Sequence, residues 1–224
     1  MTRLQSSSAS WNSHSHDDPG ALMELLWVRH AEPERVAPGT GEPANPGLTA
    51  RGNEQAQRLA RWLAHEDVDA VLSSPQRRAI ETARPIADAH GLKIEVVEGL
   101  VEYDVQADHY IPMEELRATN DQRLRDMIEG RWETFGGESP ESFRARVEAT
   151  LAALIAGHPG ERVVAVCHGG VINVALAIVL GFDRLLWFDP HYTSLSRVVA
   201  SRTGVRSLAS LNENAHLIAR REQP

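Results

Sequence analysis

The chain predicts a three-layer αβα fold with a mostly parallel central sheet, and three observations carry that reading. Short apolar runs alternate with segments of helical period along most of the 224 residues. Two of those runs, residues 22–28 and 163–167, end on a histidine, as Val28-Arg29-His30-Ala31-Glu32 and Val166-Cys167-His168-Gly169-Gly170. The length suits one well-buried domain, and 42% hydrophobic with 24% charged residues is ordinary for a soluble globular protein.

In chain order, residues 1–20 are Ser- and His-rich and lack the apolar stretch of a signal peptide, so a disordered tail is expected, with residues 21–224 as the domain. His14 and His16 are read as part of that polar tail rather than as metal ligands. Residues 22–28 form the first strand. The Pro- and Gly-rich residues 34–48 must be a loop. Thr49 is an N-cap for a helix whose inner face carries Ala56, Leu59, Ala60 and Leu63. Residues 68–72 form a strand, and Ser73-Ser74-Pro75 caps a second helix that stops at Gly91. Residues 94–97 are a further strand. Residues 103–136 are charged and weakly periodic, with one helix over 113–128, and read as a cap-like insertion over the sheet. Ser139-Pro140 opens a helix with Phe143, Val147, Leu151, Leu154 and Ile155 at core spacing, ending before Gly157. Residues 163–167 are a central strand and 171–180 an apolar buried helix. Two last strands, 194–200 and 205–211, turn at Thr203-Gly204.

Composition excludes several classes. A net charge of −8 opposes a general nucleic-acid binder. No apolar run reaches the roughly 20 residues of a membrane helix. Cys167 is the only cysteine, so no intramolecular disulfide forms, and the chain is expected in the cytoplasm. A cysteine phosphatase would want an arginine six residues after Cys167, where Asn173 stands, so Cys167 reads as a small buried hydrophobe. Gly169-Gly170 lacks the further spaced glycines of a dinucleotide loop.

Ligands of open α/β sheets sit beyond the carboxyl ends of the strands. Arg29 and His30, then Arg77 or Arg78, then His168 all follow such ends, the last beside a helix start that favours anions. Guanidinium forks match phosphate oxygens in pairs, so the natural guest is a phosphoryl group. A neutral imidazole can attack phosphorus, and a carboxyl of raised pKa can protonate the departing oxygen. Glu102 is the best-placed carboxyl, with Asp104 as fallback.

The chain resembles the histidine phosphatase superfamily, the phosphoglycerate mutase-like group. Its Arg-His-Gly hallmark stands here as Arg29-His30-Ala31, and its Leu-Thr-x-x-Gly as Leu48-Thr49-Ala50-Arg51-Gly52. Ser73-Ser74-Pro75-Gln76-Arg77-Arg78-Ala79-Ile80-Glu81-Thr82-Ala83 matches a further segment and selects Arg78 over Arg77. Leu100-Val101-Glu102, Gly137-Glu138-Ser139, the His168 motif, and Leu211-Asn212 with His216-Leu217 follow in order. The resemblance implies a phosphoglycerate mutase-like fold and a metal-independent phosphatase acting on a small phosphomonoester or related compound. It implies His30 as nucleophile, Glu102 as proton donor, and Arg29, Arg78 and His168 as phosphate ligands. No metal or cofactor is implied. The partner is a small phosphorylated substrate, with neither nucleic acid nor membrane, and a homodimer is compatible.

Two departures weigh against the alternative of a phosphoglycerate mutase-type phosphotransferase. The polar Ser/Thr and Asn that commonly follow the Arg-His motif are replaced by Pro33-Glu34-Arg35-Val36, and a Gly-rich segment after the glutamate by Tyr103-Asp104-Val105-Gln106. Arg35 or Tyr110 would supply substitute substrate contacts. Ala31 in place of glycine is tolerable if φ there is negative. A non-catalytic phosphate-binding scaffold is the remaining alternative, opposed by the complete set of core residues.

Overall fold

Strand residues of alternating parity bury on opposite faces, and that period-two rule builds the layers. The computed structural model describes residues 21–39, 41–129, 131 and 137–218, so the expected tail lies outside the described residues. Strands β1 (Met23–Arg29), β2 (Ala70–Ser73), β3 (Ile94–Val96), β4 (Arg162–Cys167), β5 (Leu195–Ala200) and β6 (Arg206–Glu213) form one six-stranded sheet ordered β3-β2-β4-β1-β5-β6. The pairs β1–β4, β2–β4 and β2–β3 are parallel, whereas β5 and β6 run antiparallel to their neighbours. The expected three-layer, mostly parallel architecture is the one observed.

Leu26, Val28, Val164 and Val166 pack against helices α1 (Ala50–Leu63) and α2 (Arg77–His90). Leu25, Trp27, Val163 and Ala165 face the other way, onto Phe143, Val147 and Leu151 of α5 (Pro140–Gly157) and Val171 and Val174 of α6 (Gly169–Leu180). Both faces are covered, which is why β1 and β4 read as continuous apolar runs. Each Val, Leu or Phe among them, taken fully from water, stabilises the fold by about 1.5–3 kcal/mol. Caps set the helix starts. Thr49 accepts from the Gly52 amide at 2.9 Å, and Ser139 accepts from Ser142 ahead of Pro140. A Cβ on Gly52 would lie 2.1 Å from the Glu32 carbonyl oxygen, so glycine lets α1 seat against the loop leaving β1. Gly91 ends α2 in the left-handed conformation, φ +66°.

Two local expectations differ. Helix α2 begins at Arg77 with Gln76 as its N-cap; the Ser73 hydroxyl donates to its neighbour's carbonyl, and Ser74 Oγ accepts the Gln76 amide and contacts His168 rather than capping the first turn. The single helix expected over 113–128 is broken into α3 (Met113–Ala118) and α4 (Gln122–Ile128). Asn120 takes φ +50° and the Asp121 carboxylate accepts from the Arg123 amide, so a turn and a new N-cap interrupt it. No helix among the described residues is long and apolar enough to cross a membrane.

Candidate active site

The site assembles where β2, β4 and β1 end side by side. Beyond β1, the His30 amide donates to the Cys167 carbonyl at 2.9 Å, tying the loop to β4. His168 follows β4 as the N-cap of α6, and Arg78 occupies the first turn of α2. All are nearly inaccessible: Arg29 is 4% exposed, His30 2%, Arg78 1% and His168 1%.

Hydrogen bonds assign the imidazole protons. His30 Nδ1 lies 2.8 Å from the Ala31 carbonyl, which only accepts, so Nδ1 carries the proton. Its Nε2 then presents a lone pair, 3.3 Å from the donating Arg78 Nε. Burial, then Arg78 and Arg29, hold the His30 pKa well below the ordinary histidine value, so the ring is neutral. The His168 ring centroid lies 5.1 Å from that of His30. Ser74 Oγ receives the Gln76 amide and lies 2.8 Å from His168 Nε2. The hydroxyl can donate to Nε2, and that arrangement puts the ring proton of His168 on Nδ1. Burial and the neighbouring Arg78 also keep this ring neutral. Ala31 is absent from the positive-φ residues, and its amide donates to Thr82 Oγ1 at 2.9 Å, so alanine is accommodated.

Three residues beside His30 have buried nitrogens that lack partners: Arg29 Nε, Arg78 Nη1 and His168 Nδ1. Unpaired buried polar groups are costly unless a ligand completes them. Arg29 Nη1 donates to the Pro190 carbonyl at 2.6 Å and to Glu114 at 3.0 Å, and its guanidinium lies 4.0 Å over the Tyr192 ring. Tyr192 in turn donates to Glu114 at 2.9 Å. Thr193, a β-branched residue at φ +57°, donates its amide to the Arg29 carbonyl and fixes this loop.

Glu102 follows a short 3-10 turn (Glu98–Leu100) and is 8% exposed. Its carboxylate accepts from the Gly170 amide at 2.9 Å and the Tyr103 amide at 3.2 Å. A Cβ on Gly170 would lie 2.4 Å from Glu102 Oε1, so this approach requires glycine. Burial, and then the adjacent Asp104, raise the Glu102 pKa to about 7, while the backbone donors and Arg78 oppose the rise. Asp104 is itself raised by burial. Cys167 is fully buried with its thiol pushed well up by burial, an inert position.

Arg29, His30, Arg78 and Glu102 open into a cavity of about 350 Å³ whose far walls come from α3, α4 and residues 184–190. Tyr110 lines it, its ring 4.6 Å from the Arg78 guanidinium. Arg35 does not line it; its side chain is 55% exposed and pairs with Glu115 at 3.2 Å. Arg77, the other basic residue of that turn, pairs outward with Glu81 at 2.6 Å. Sequence reasoning missed Ser74, Glu114, Tyr192 and Thr193, which lie on loops and cap segments without periodic signal. For Gly170, its place two residues past His168 was the available clue. Among the described residues no cluster of three or more His, Cys, Asp or Glu side chains could hold a metal ion.

The model of the histidine phosphatase superfamily (branch 1) matches residues 25–214. Phosphoserine phosphatase 1 of Hydrogenobacter thermophilus is 32% identical over 165 residues, covering 72% of this chain and 78% of that protein. The adenosylcobalamin/alpha-ribazole phosphatase of Escherichia coli is 30% identical over 171 residues, covering 74% of this chain and 83% of its own. Among solved structures, phosphoserine phosphatase from Entamoeba histolytica in complex with 3-phosphoglyceric acid shares the fold, with a TM-score of 0.69 at 24% identity, over 88% of this chain and 100% of that one.

Proposed function

Since the chain belongs to the histidine phosphatase superfamily, we propose that it hydrolyses a small phosphomonoester through a phosphohistidine on His30. One observation carries this reading: the His30 Nε2 lone pair, fixed by the Nδ1 bond to Ala31, faces Arg78 beside Arg29 and His168, and each of these three residues has a buried nitrogen that lacks a partner. An incoming phosphoryl group would satisfy them. Phosphoryl transfer asks chiefly for positioning and charge stabilisation, and this arrangement offers both.

In the first half-reaction Nε2 attacks phosphorus as the P–O bond to the alcohol breaks. Arg29, Arg78 and His168 hold the non-bridging oxygens. Arg78 Nε leaves the nitrogen lone pair for a phosphoryl oxygen as the N–P bond forms. Glu102, protonated, gives its proton to the leaving oxygen. In the second half the Glu102 carboxylate takes a proton from water, whose oxygen attacks phosphorus, releasing inorganic phosphate and restoring neutral His30. A carboxyl with a pKa of about 7 suits both roles near neutrality. Tyr110, against Arg78, is the residue we assign to substrate contact; Arg35, paired with Glu115 outside the cavity, receives no role in this mechanism. The phosphatases of phosphoserine and alpha-ribazole among its relatives favour hydrolysis over transfer to a second phosphorylated acceptor.

The test is hydrolysis of p-nitrophenyl phosphate with EDTA present, by the wild type beside His30→Ala. Turnover vanishes in the variant while inorganic phosphate still raises its Tm. Retained turnover in a folded His30→Ala protein would remove His30 as nucleophile.

A further inference from the structure

The half of the cavity remote from His30 is walled by Met113 and Leu116 of α3, Leu124 and Met127 of α4, and Trp187 and Phe188. Several of these are half-buried, packed on the core with the remaining surface turned to the cavity. Trp187 and Phe188 are pinned: Asn173 Oδ1 accepts both their amides, at 2.9 and 3.1 Å, and Asn173 Nδ2 donates to the Phe188 carbonyl. Asn173 is 2% exposed on α6, the helix that begins beside His168, so this wall is rigidly joined to the phosphate end.

Two of the cations along the same cavity are already paired with carboxylates. Arg117 is bound by Asp189, and Arg123 clamps Asp121 through bonds of 2.9 and 2.7 Å. Arg184, exposed at the mouth, donates to the Leu186 carbonyl. The carboxyls of Glu102 and Asp104 line the same cavity. A substrate carboxylate would find Arg117 and Arg123 already paired and would lie against apolar side chains.

Resting on the phosphatase reading above, we infer that the alcohol half of the substrate is apolar, an alkyl or aryl group seated between α3–α4 and Trp187–Phe188, rather than an amino acid or a sugar acid. At about 350 Å³ the cavity is at the small end of the usual ligand-site range of roughly 300–1,000 Å³. That fits a short alkyl chain or one fused ring system beside the phosphate.

The experiment measures kcat/KM for ethyl, butyl and hexyl phosphate, with phosphoserine and p-nitrophenyl phosphate alongside. The alkyl leaving groups are chemically alike, so differences report the pocket. Burial of one methylene is worth a factor of about four, so hexyl exceeds butyl phosphate by about tenfold or more, and phosphoserine falls below butyl phosphate. A flat alkyl series, or phosphoserine turned over better than hexyl phosphate, overturns the inference. Failure to hydrolyse any ester, p-nitrophenyl phosphate included, instead overturns the phosphatase reading beneath it. To locate the subsite, Leu124→Asn and Met113→Gln, on separate cap helices, are compared through the hexyl-to-ethyl ratio. That ratio shrinks at least threefold in each folded variant; an unchanged ratio in both places the alkyl group elsewhere and refutes the assignment.

Discussion

Replacing Glu102 by glutamine leaves a side chain of the same size that has no proton to give. In the wild type the carboxyl titrates at about 7, so it is about 90% protonated at pH 6 and about 10% at pH 8. The acid-dependent rate therefore falls about tenfold between those values, and the fall comes with rising pH because the raised pKa keeps the useful proton only below 7. In kcat/KM, which reports the first half-reaction of the free enzyme, Glu102→Gln should cost an alkyl phosphate about 10²–10⁴-fold, the usual worth of a general acid. For p-nitrophenyl phosphate, whose departing phenolate needs no proton, the loss should stay below about tenfold. The alkaline limb should also vanish from the variant's alkyl-phosphate profile. Steady-state assays from pH 5.5 to 9 with both esters decide the matter; kcat alone does not, since Glu102 also serves the water step. Equal losses for the two esters, or an alkaline limb that persists in the variant, would remove Glu102 as the acid.

Arg78→Lys puts a point charge where a fork spans His30 Nε2 and the phosphate end, and kcat/KM should drop about 10²–10³-fold; a loss under fivefold in steady-state assays would count against the clamp. Gly170→Ala crowds Glu102 Oε1, the mobile end of a flexible side chain. Thermal melts should therefore change little while alkyl-phosphate turnover falls at least tenfold, and a fall confined to Tm would contradict this. Ser74→Ala strands the buried Nε2 of His168, lowering stability by about 1–3 kcal/mol in urea melts. It should also weaken the Tm rise given by inorganic phosphate, and an undiminished rise would show that the Ser74 bond does not set the His168 proton.

How much could be read in advance varies with the physics of each element. Strands β1 and β4 were legible because burial on both faces demands unbroken apolar runs, and the helix at Thr49 because its cap is a side-chain bond written locally. Arg29, His30 and His168 followed from strand-end position alone. Choosing Arg78 over Arg77 needed the family pattern, since the two differ only by one helical step, inward or outward. The break at Asn120 went unread because a positive φ at a non-glycine residue has no periodic signature, and the residues around it continue a helical composition. Pro190 and Glu114 reach Arg29 across 161 and 85 residues of separation, and nothing local announces such contacts.

The sheet order carries a consequence for how the chain acquires its shape during synthesis. Strand β4 is threaded between β1 and β2, which touch each other nowhere in the sheet. Glu24 and Arg162, paired at the head of β1 and β4, are 138 positions apart. Until β4 emerges from the ribosome, β1 and β2 both present unpaired inner edges, the exposed templates that invite wrong pairing. Closing so long a loop is slow and late. The anion-binding end thus comes into being in the same event that seals those edges, so a growing chain that can hold phosphate is one whose most hazardous stretch of folding is already behind it.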